Sequence, residues 1–110
     1  MEENLKSLKE LNENGKPKPK FSLIPQLALK EVAEVFSYGA NKYEKYNFSN
    51  GQDATVYTDA ALRHIHKYLL NYDVDDESKL YHLAHACSNL MMLLDNDINN
   101  TTVDDRNKKY

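Results

Sequence analysis

The chain has 110 residues, which suits one small domain with a modest core. Its formal net charge of −3 at pH 7 argues against DNA or RNA as a partner, because nucleic-acid-binding domains carry clusters of positive charge. The single cysteine excludes an internal disulfide, and neither a signal peptide nor a long apolar stretch is apparent, so we expect a cytoplasmic protein without a membrane span.

The two ends of the chain are polar and frame a central domain. Residues 1–20 are rich in Lys, Glu and Asn, and a leucine at every third position predicts at most a short helix there (Leu5, Leu8 and Leu11). Residues 96–110 are mostly Asn, Asp, Thr and Lys and predict a flexible polar tail. The functional domain is therefore expected at residues 21–95.

The first helix is predicted at residues 25–43, because proline favours the opening turn of a helix and apolar side chains follow at helical spacing. The apolar stripe consists of Ala28, Val32, Val35, Phe36 and Tyr43. Gly39 lies beside this stripe and either permits close approach of another helix or ends the helix early. Glu31 and Glu34 form a Glu-x-x-Glu pair on the polar side, which is either half of a Mg²⁺ site or two exposed glutamates.

Two further helices are predicted after an Asn-Gly turn at residues 50–51. The second helix covers residues 55–72, with a core stripe of Leu62, Ile65, Leu69 and Tyr72. An acidic connection at residues 73–77 leads to the third, at residues 78–95, and its carboxylates favour the start of that helix. The fold class is all-α, a small bundle of three principal helices, and the short connection makes the last two antiparallel.

The third helix has two contrasting faces on a helical wheel. The apolar face is the predicted core, with the cysteine as a small buried side chain (Leu80, Leu83, Cys87, Leu90, Met91 and Leu94). The opposite face carries His82, His85 and Asn89, which donate and accept hydrogen bonds at neutral pH and predict a ligand site. The alternative is a pair of interface or half-buried histidines. Because three helices do not easily cover both faces, we expect a homo-oligomer with sites near the subunit boundaries.

The second helix offers possible partners for that site. Arg63 and His66 fall on one side with Asp59, and the planar guanidinium of Arg63 suits a phosphate or a carboxylate. The alternative is an intrahelical pair between Asp59 and Arg63, worth only a few tenths of a kcal/mol. His64 points away from this side, and no role is assigned to it. At the end of the first helix, the side chains that suit phosphate or base recognition are Lys42, Tyr43 and Asn47.

Several segments in order resemble the phage-encoded family of dATP/dGTP diphosphohydrolase N-terminal domains. They are KFSLIP at residues 20–25, YGANKY at 38–43, AALRH at 60–64 and DESKLYHLAHACSNL at 76–90. The resemblance implies a relation to the all-α nucleotide pyrophosphohydrolases, whose carboxylates hold Mg²⁺ for attack of water on a phosphate. It makes Glu31 and Glu34 the candidate catalytic residues and Mg²⁺ ligands. The expected second carboxylate pair is missing from the later helix, and Asp76 in the connection is the nearest substitute.

Three functions remain open from the sequence. The protein either hydrolyses a purine deoxynucleotide with Mg²⁺, or binds a nucleotide without a cofactor and without turnover, for instance to sequester a cyclic nucleotide immune signal. The third interpretation is a helical interaction module whose histidine face is a subunit contact. For either nucleotide function, the predicted binding residues are Lys42, Tyr43, Asn47, Arg63, His66, His82, His85 and Asn89.

Overall fold

The computed structural model describes residues 10–110 and contains three α-helices and no strand within that range. Helix α1 spans Gln26–Lys42, α2 spans Ala54–Leu69 and α3 spans His82–Ile98. Short 3-10 turns precede α1 and α2, at Phe21–Leu23 and Asn47–Asn50. The predicted all-α class and the three-helix arrangement are confirmed. The short helix predicted around Leu5 and Leu8 lies outside the described residues.

Helix α1 follows its predicted apolar pattern in part. Val32 and Val35 are buried, and Phe36 packs against them. Tyr43 is exposed at the end of the helix. Both interpretations of Gly39 are wrong, because this residue lies inside α1 and a Cβ added there would meet no atom within 4 Å.

Helix α3 lies at the centre of the domain and contacts both α1 and α2. Tyr57 near the start of α2 bonds to Asn96 near the end of α3, whereas His64 later in α2 meets His82 at the start of α3. The two helices are therefore antiparallel, as predicted. Several buried residues of the two helices are small, which permits their close approach (Ala54, Ala61, Ala84, Ala86 and Ser88).

The predicted core faces of α2 and α3 are wrong for most of their residues, because most of the large apolar side chains point outward. The exceptions are Leu80, which packs against the core, and Ile65, which is half-buried. Leu90 and Leu94 of α3 are 48% and 59% exposed, and Leu69 of α2 is 70% exposed. Cys87, predicted to be buried, is exposed as well. The polar face of α3 lies inside instead, with His82 only 5% exposed. A helical wheel separates the two faces, but the small side chains and paired polar groups decide which face packs against α2.

The connection between α2 and α3 is longer than predicted and has a defined conformation. It covers residues 70–81, because α3 begins at His82. Its two ends pair through backbone hydrogen bonds. The Asp75 amide donates to the Leu80 carbonyl at 2.8 Å, and the His82 amide donates to the Asp73 carbonyl at 2.9 Å. No carboxylate of this segment caps α3, whose N-cap residue is Tyr81. The connection folds back over the helices and brings Asp75 to their polar face.

The C-terminal segment, predicted to be a flexible tail, packs against the start of α2. The Ala54 amide donates to the Val103 carbonyl at 2.9 Å, and the Val103 amide donates to the Gln52 carbonyl at 3.1 Å. Asp105 accepts hydrogen bonds from the amide and the hydroxyl of Thr55, so it satisfies a free amide in the first turn of α2. No helix of residues 10–110 has the length and apolar character to span a bilayer.

Candidate functional site

A cleft of about 730 Å³ opens between α1, the loop that follows it, and the α2–α3 pair. Such a volume falls within the range of small-molecule sites, roughly 300–1,000 Å³. Its walls combine cationic, amide and imidazole groups with a group of aromatic side chains. The cleft therefore offers both polar and apolar contacts to one ligand.

The polar part of the cleft contains Lys42, Arg63, His85 and Asn89. Lys42 Nζ lies 2.5 Å from Glu77 Oε1, and the same oxygen accepts a hydrogen bond from the Tyr38 hydroxyl at 3.0 Å. These hydrogen bonds hold the pKa of Glu77 below its ordinary value. Because Lys42 and Glu77 are both substantially exposed, an anionic ligand can compete for the ammonium group at a small cost.

Arg63 is another cation of this region, and its guanidinium is available to a ligand. The predicted alternative, a pair with Asp59, does not form: Arg63 takes part in no ion pair within residues 10–110. A guanidinium binds phosphate through two parallel hydrogen bonds, which a lysine does not offer. Arg63 is thus well suited to orient a phosphate group.

The apolar part of the cleft is built by the loop after α1. Phe48 packs edge-on against Phe36 of α1, with ring centroids 6.0 Å apart, and edge-on against Tyr46 at 6.5 Å. Tyr46 adopts a positive φ of 61°, which turns the chain into the 3-10 turn at Asn47–Asn50. The rings supply flat apolar surface of the kind on which a nucleobase stacks.

Three histidines meet at the base of the cleft. His64 Nδ1 lies 2.8 Å from His82 Nδ1, and the His85 ring stacks on the His64 ring with centroids 4.6 Å apart. Burial, together with the neighbouring imidazoles of His85 and His82, lowers the pKa of His64 to about 4. His64 is therefore neutral at pH 7, with one ring nitrogen able to accept a hydrogen bond or bind a metal ion.

The connection between α2 and α3 adds Asp75 and Ser78 to the histidines. The Ser78 amide donates to Asp75 Oδ2 at 2.8 Å, and the Ser78 hydroxyl lies 2.6 Å from His85 Nε2. Burial alone would raise the pKa of Asp75, but the hydrogen bonds from Ser78 hold it below its ordinary value. The carboxylate is thus ionised at neutral pH. One ligand atom each from His64, Asp75 and His82 lies within 4.8 Å of the other two.

Six of the eight predicted nucleotide-binding residues line the cleft, namely Lys42, Tyr43, Asn47, Arg63, His85 and Asn89. The Asn89 side chain donates to the His85 carbonyl at 2.9 Å, which fixes its orientation. The other two predicted residues do not line it. His82 is buried behind the wall, and His66 is exposed in a shallow groove beside Asp59.

The predicted Mg²⁺ ligands lie elsewhere. Glu31 is half-buried and Glu34 exposed on α1, Asp76 is exposed in the connection, and none of the three lines the cleft. Mg²⁺ requires several oxygen ligands around one point. Within residues 10–110, three or more candidate metal ligands converge at His64, Asp75 and His82, and this group includes none of the three carboxylates. They do not fit a shared Mg²⁺ site, and their catalytic role stays a prediction.

Two central residues of the site, His64 and Asp75, were not among the residues predicted from the sequence. The sequence of α2 contained a signal that His64 faces inward. Ala54, Tyr57 and Ala61 precede His64 at spacings of three and four residues, and these three residues form the buried face of the helix. Asp75 carried no such signal. Its position depends on the backbone pairing of the connection, which includes a positive φ of 64° at Lys79.

Comparison with known proteins identifies the family of the chain. The family model described as dATP/dGTP diphosphohydrolase, N-terminal, matches residues 9–106, which is most of the chain. The chain belongs to this family. A relative named dATP/dGTP diphosphohydrolase, from Salmonella phage PMBT28, is 38% identical over 89 residues. The match covers 81% of this chain but 30% of the relative, so the chain spans less than a third of that protein's length. No solved structure matches the chain.

Proposed function

We propose that the chain binds a purine deoxynucleoside triphosphate in the cleft between α1, the following loop and the α2–α3 pair. The observation that carries this proposal is the pairing of Arg63 and Lys42 with Tyr46 and Phe48 in a single cleft. The cations suit the triphosphate, and the rings suit the base. The purine preference comes from the family name and from the name of the phage relative.

The phosphate contact is tested by removing the guanidinium of Arg63. Calorimetric titration with dATP and dGTP should show binding by the native chain and at least a tenfold loss in Arg63→Gln, because a charge-assisted hydrogen bond contributes about 1.5–3 kcal/mol. The matched control is Lys67→Gln, which removes the same charge one turn further along α2, outside the cleft. Equal losses in both variants, or an unchanged affinity in Arg63→Gln, contradict the proposed contact.

Hydrolysis by this chain is a separate step of the proposal. If the predicted glutamates of α1 act on a bound nucleotide, incubation of the chain with Mg²⁺ and dATP or dGTP releases pyrophosphate. Glu31→Gln and Glu34→Gln should then each abolish the release of pyrophosphate, while nucleotide binding persists. Release that is unaffected by both substitutions would assign the reaction to other groups. A binding-competent chain without release would indicate that turnover needs the rest of a longer protein or does not occur.

The position of these carboxylates favours a second candidate function, nucleotide sequestration without turnover. Glu31, Glu34 and Asp76 lie outside the cleft, whereas its phosphate- and base-binding groups lie within it. We expect a sequestering protein to retain its ligand through purification. Denaturing the purified protein and identifying the released small molecule by mass spectrometry separates the two functions: an intact cyclic nucleotide supports sequestration, and a deoxynucleoside monophosphate supports hydrolysis.

A further inference from the structure

We propose that His64, Asp75 and His82 form a binding site for a divalent transition-metal ion at the base of the cleft. Each residue comes from a different element: α2, the connection, and the first position of α3. One ligand atom from each lies within 4.8 Å of the other two. The site is independent of the proposed nucleotide, because its ligands converge without one.

The distance between the two imidazoles fits an ion after a small adjustment. Zinc–nitrogen bonds of 2.0–2.1 Å at a tetrahedral angle place two ligand nitrogens about 3.3 Å apart. His64 Nδ1 and His82 Nδ1 are 2.8 Å apart, as in a hydrogen bond between two rings. A shift of about half an ångström, achieved by slight rotation of either ring, makes room for the ion.

The surroundings of the ligands hold them in place. The Ser78 amide donates to Asp75, and the His85 ring stacks on His64 with an angle of 9° between the planes. His82 is fixed by its burial at the start of α3. Supporting contacts of this kind orient the ligands of metal centres and contribute 10- to 100-fold to affinity, as an order of magnitude.

The ligand set selects the class of metal and leaves a coordination position open. Two imidazoles and one carboxylate favour Zn²⁺, Fe²⁺, Co²⁺ or Ni²⁺, whereas Mg²⁺ and Ca²⁺ favour oxygen ligands. Three protein ligands are typical of centres that also bind water or substrate. His64 and Asp75 line the cleft while His82 lies behind them, so the open position faces the cleft. It would accept water or an anionic oxygen.

The test is calorimetric titration of the metal-free protein with Zn²⁺, Co²⁺ and Mg²⁺, in the absence of nucleotide. We expect one Zn²⁺ or Co²⁺ per chain, no comparable Mg²⁺ binding, and a visible Co²⁺ absorption typical of low coordination number. His64→Gln and Asp75→Asn should each weaken binding by at least tenfold. Asp75→Asn keeps the size of the side chain and serves as the second variant should His64→Gln fold poorly, which circular dichroism reports.

The matched control is His66→Gln, which removes an exposed histidine from the same helix. It should bind as the native chain does. No stoichiometric binding of a transition metal, equal losses in His66→Gln and His64→Gln, or full affinity in Asp75→Asn would each overturn the proposal. Because nucleotide is absent throughout, these outcomes are independent of whether the cleft binds dATP or dGTP.

Discussion

Replacing Gly51 by alanine should destabilise the protein through the contact between the loop after α1 and the C-terminal segment. Gly51 has φ 80° and ψ 151°, a backbone conformation that residues other than glycine rarely adopt. A Cβ there would also overlap the backbone carbonyl oxygen of Thr101. That oxygen belongs to the segment in which Val103 bonds to Gln52 and Ala54, so a movement of the segment that relieves the overlap also disturbs those two hydrogen bonds.

The expected magnitude follows from these two effects. Strained backbone of this type costs about 1–3 kcal/mol, and the displaced segment adds to it. We therefore expect Gly51→Ala to lower the free energy of unfolding by at least about 2 kcal/mol, which lowers the melting temperature by roughly 10 °C in a domain of this size. Urea unfolding followed by far-ultraviolet circular dichroism measures the change.

Gly39→Ala is the matched control, because Gly39 lies inside α1 with open space around its Cα. Alanine favours a helix interior by about 1 kcal/mol over glycine, so this variant should be more stable than the native chain. The reasoning is refuted if both substitutions change stability in the same direction, or if Gly51→Ala leaves it unchanged.

Two further predictions concern the α2–α3 contact and the exposed face of α3. Tyr57→Phe removes the acceptor of the hydrogen bond from the fully buried Asn96 side chain, so it should lower the free energy of unfolding by about 1–3 kcal/mol. Tyr68→Phe, at an exposed position, should change the free energy of unfolding by less than about 0.5 kcal/mol. Similar effects of the two substitutions in urea unfolding would contradict this account. The native chain should self-associate through the exposed leucines of α3. Leu94→Glu should shift the mass measured by light scattering toward that of the monomer, whereas Leu27→Glu on α1 should leave the mass unchanged. A native chain that is monomeric at micromolar concentration would refute this prediction.

The fold class was predictable because helical periodicity is a local property. The apolar spacing of Val32, Val35 and Phe36 located α1, and the structure places its ends within one residue of the predicted ones. The start of α3 was placed four residues too early, at Ser78. The residues before His82 lie in a turn whose backbone pairs with itself, and periodicity does not detect such pairing.

The site was predictable in its residue types and less so in its location. Imidazole and amide groups at His85 and Asn89 identified the polar face of α3, and the structure places both in the cleft. The prediction placed this face outside, since leucines normally form the core. The structure reverses the two faces because His82 and Asn96 find hydrogen-bond partners on α2, which removes the cost of burying them.

The polar face of α3 packs against α2, and this packing leaves the leucines on the other face of α3 exposed. The buried apolar side chains of residues 10–110 are few and mostly small, and the radius of gyration is 17.6 Å, against about 13 Å for a compact chain of 100 residues. Full burial of an exposed leucine contributes about 1.5–3 kcal/mol. Leu90 and Leu94 are about half exposed, so covering both against another surface would contribute roughly half of that for each side chain to the stability of so small a core. Because His82, His85 and Asn89 lie on the same helix as those leucines, any contact that stabilises α3 from outside also fixes the geometry of the cleft within.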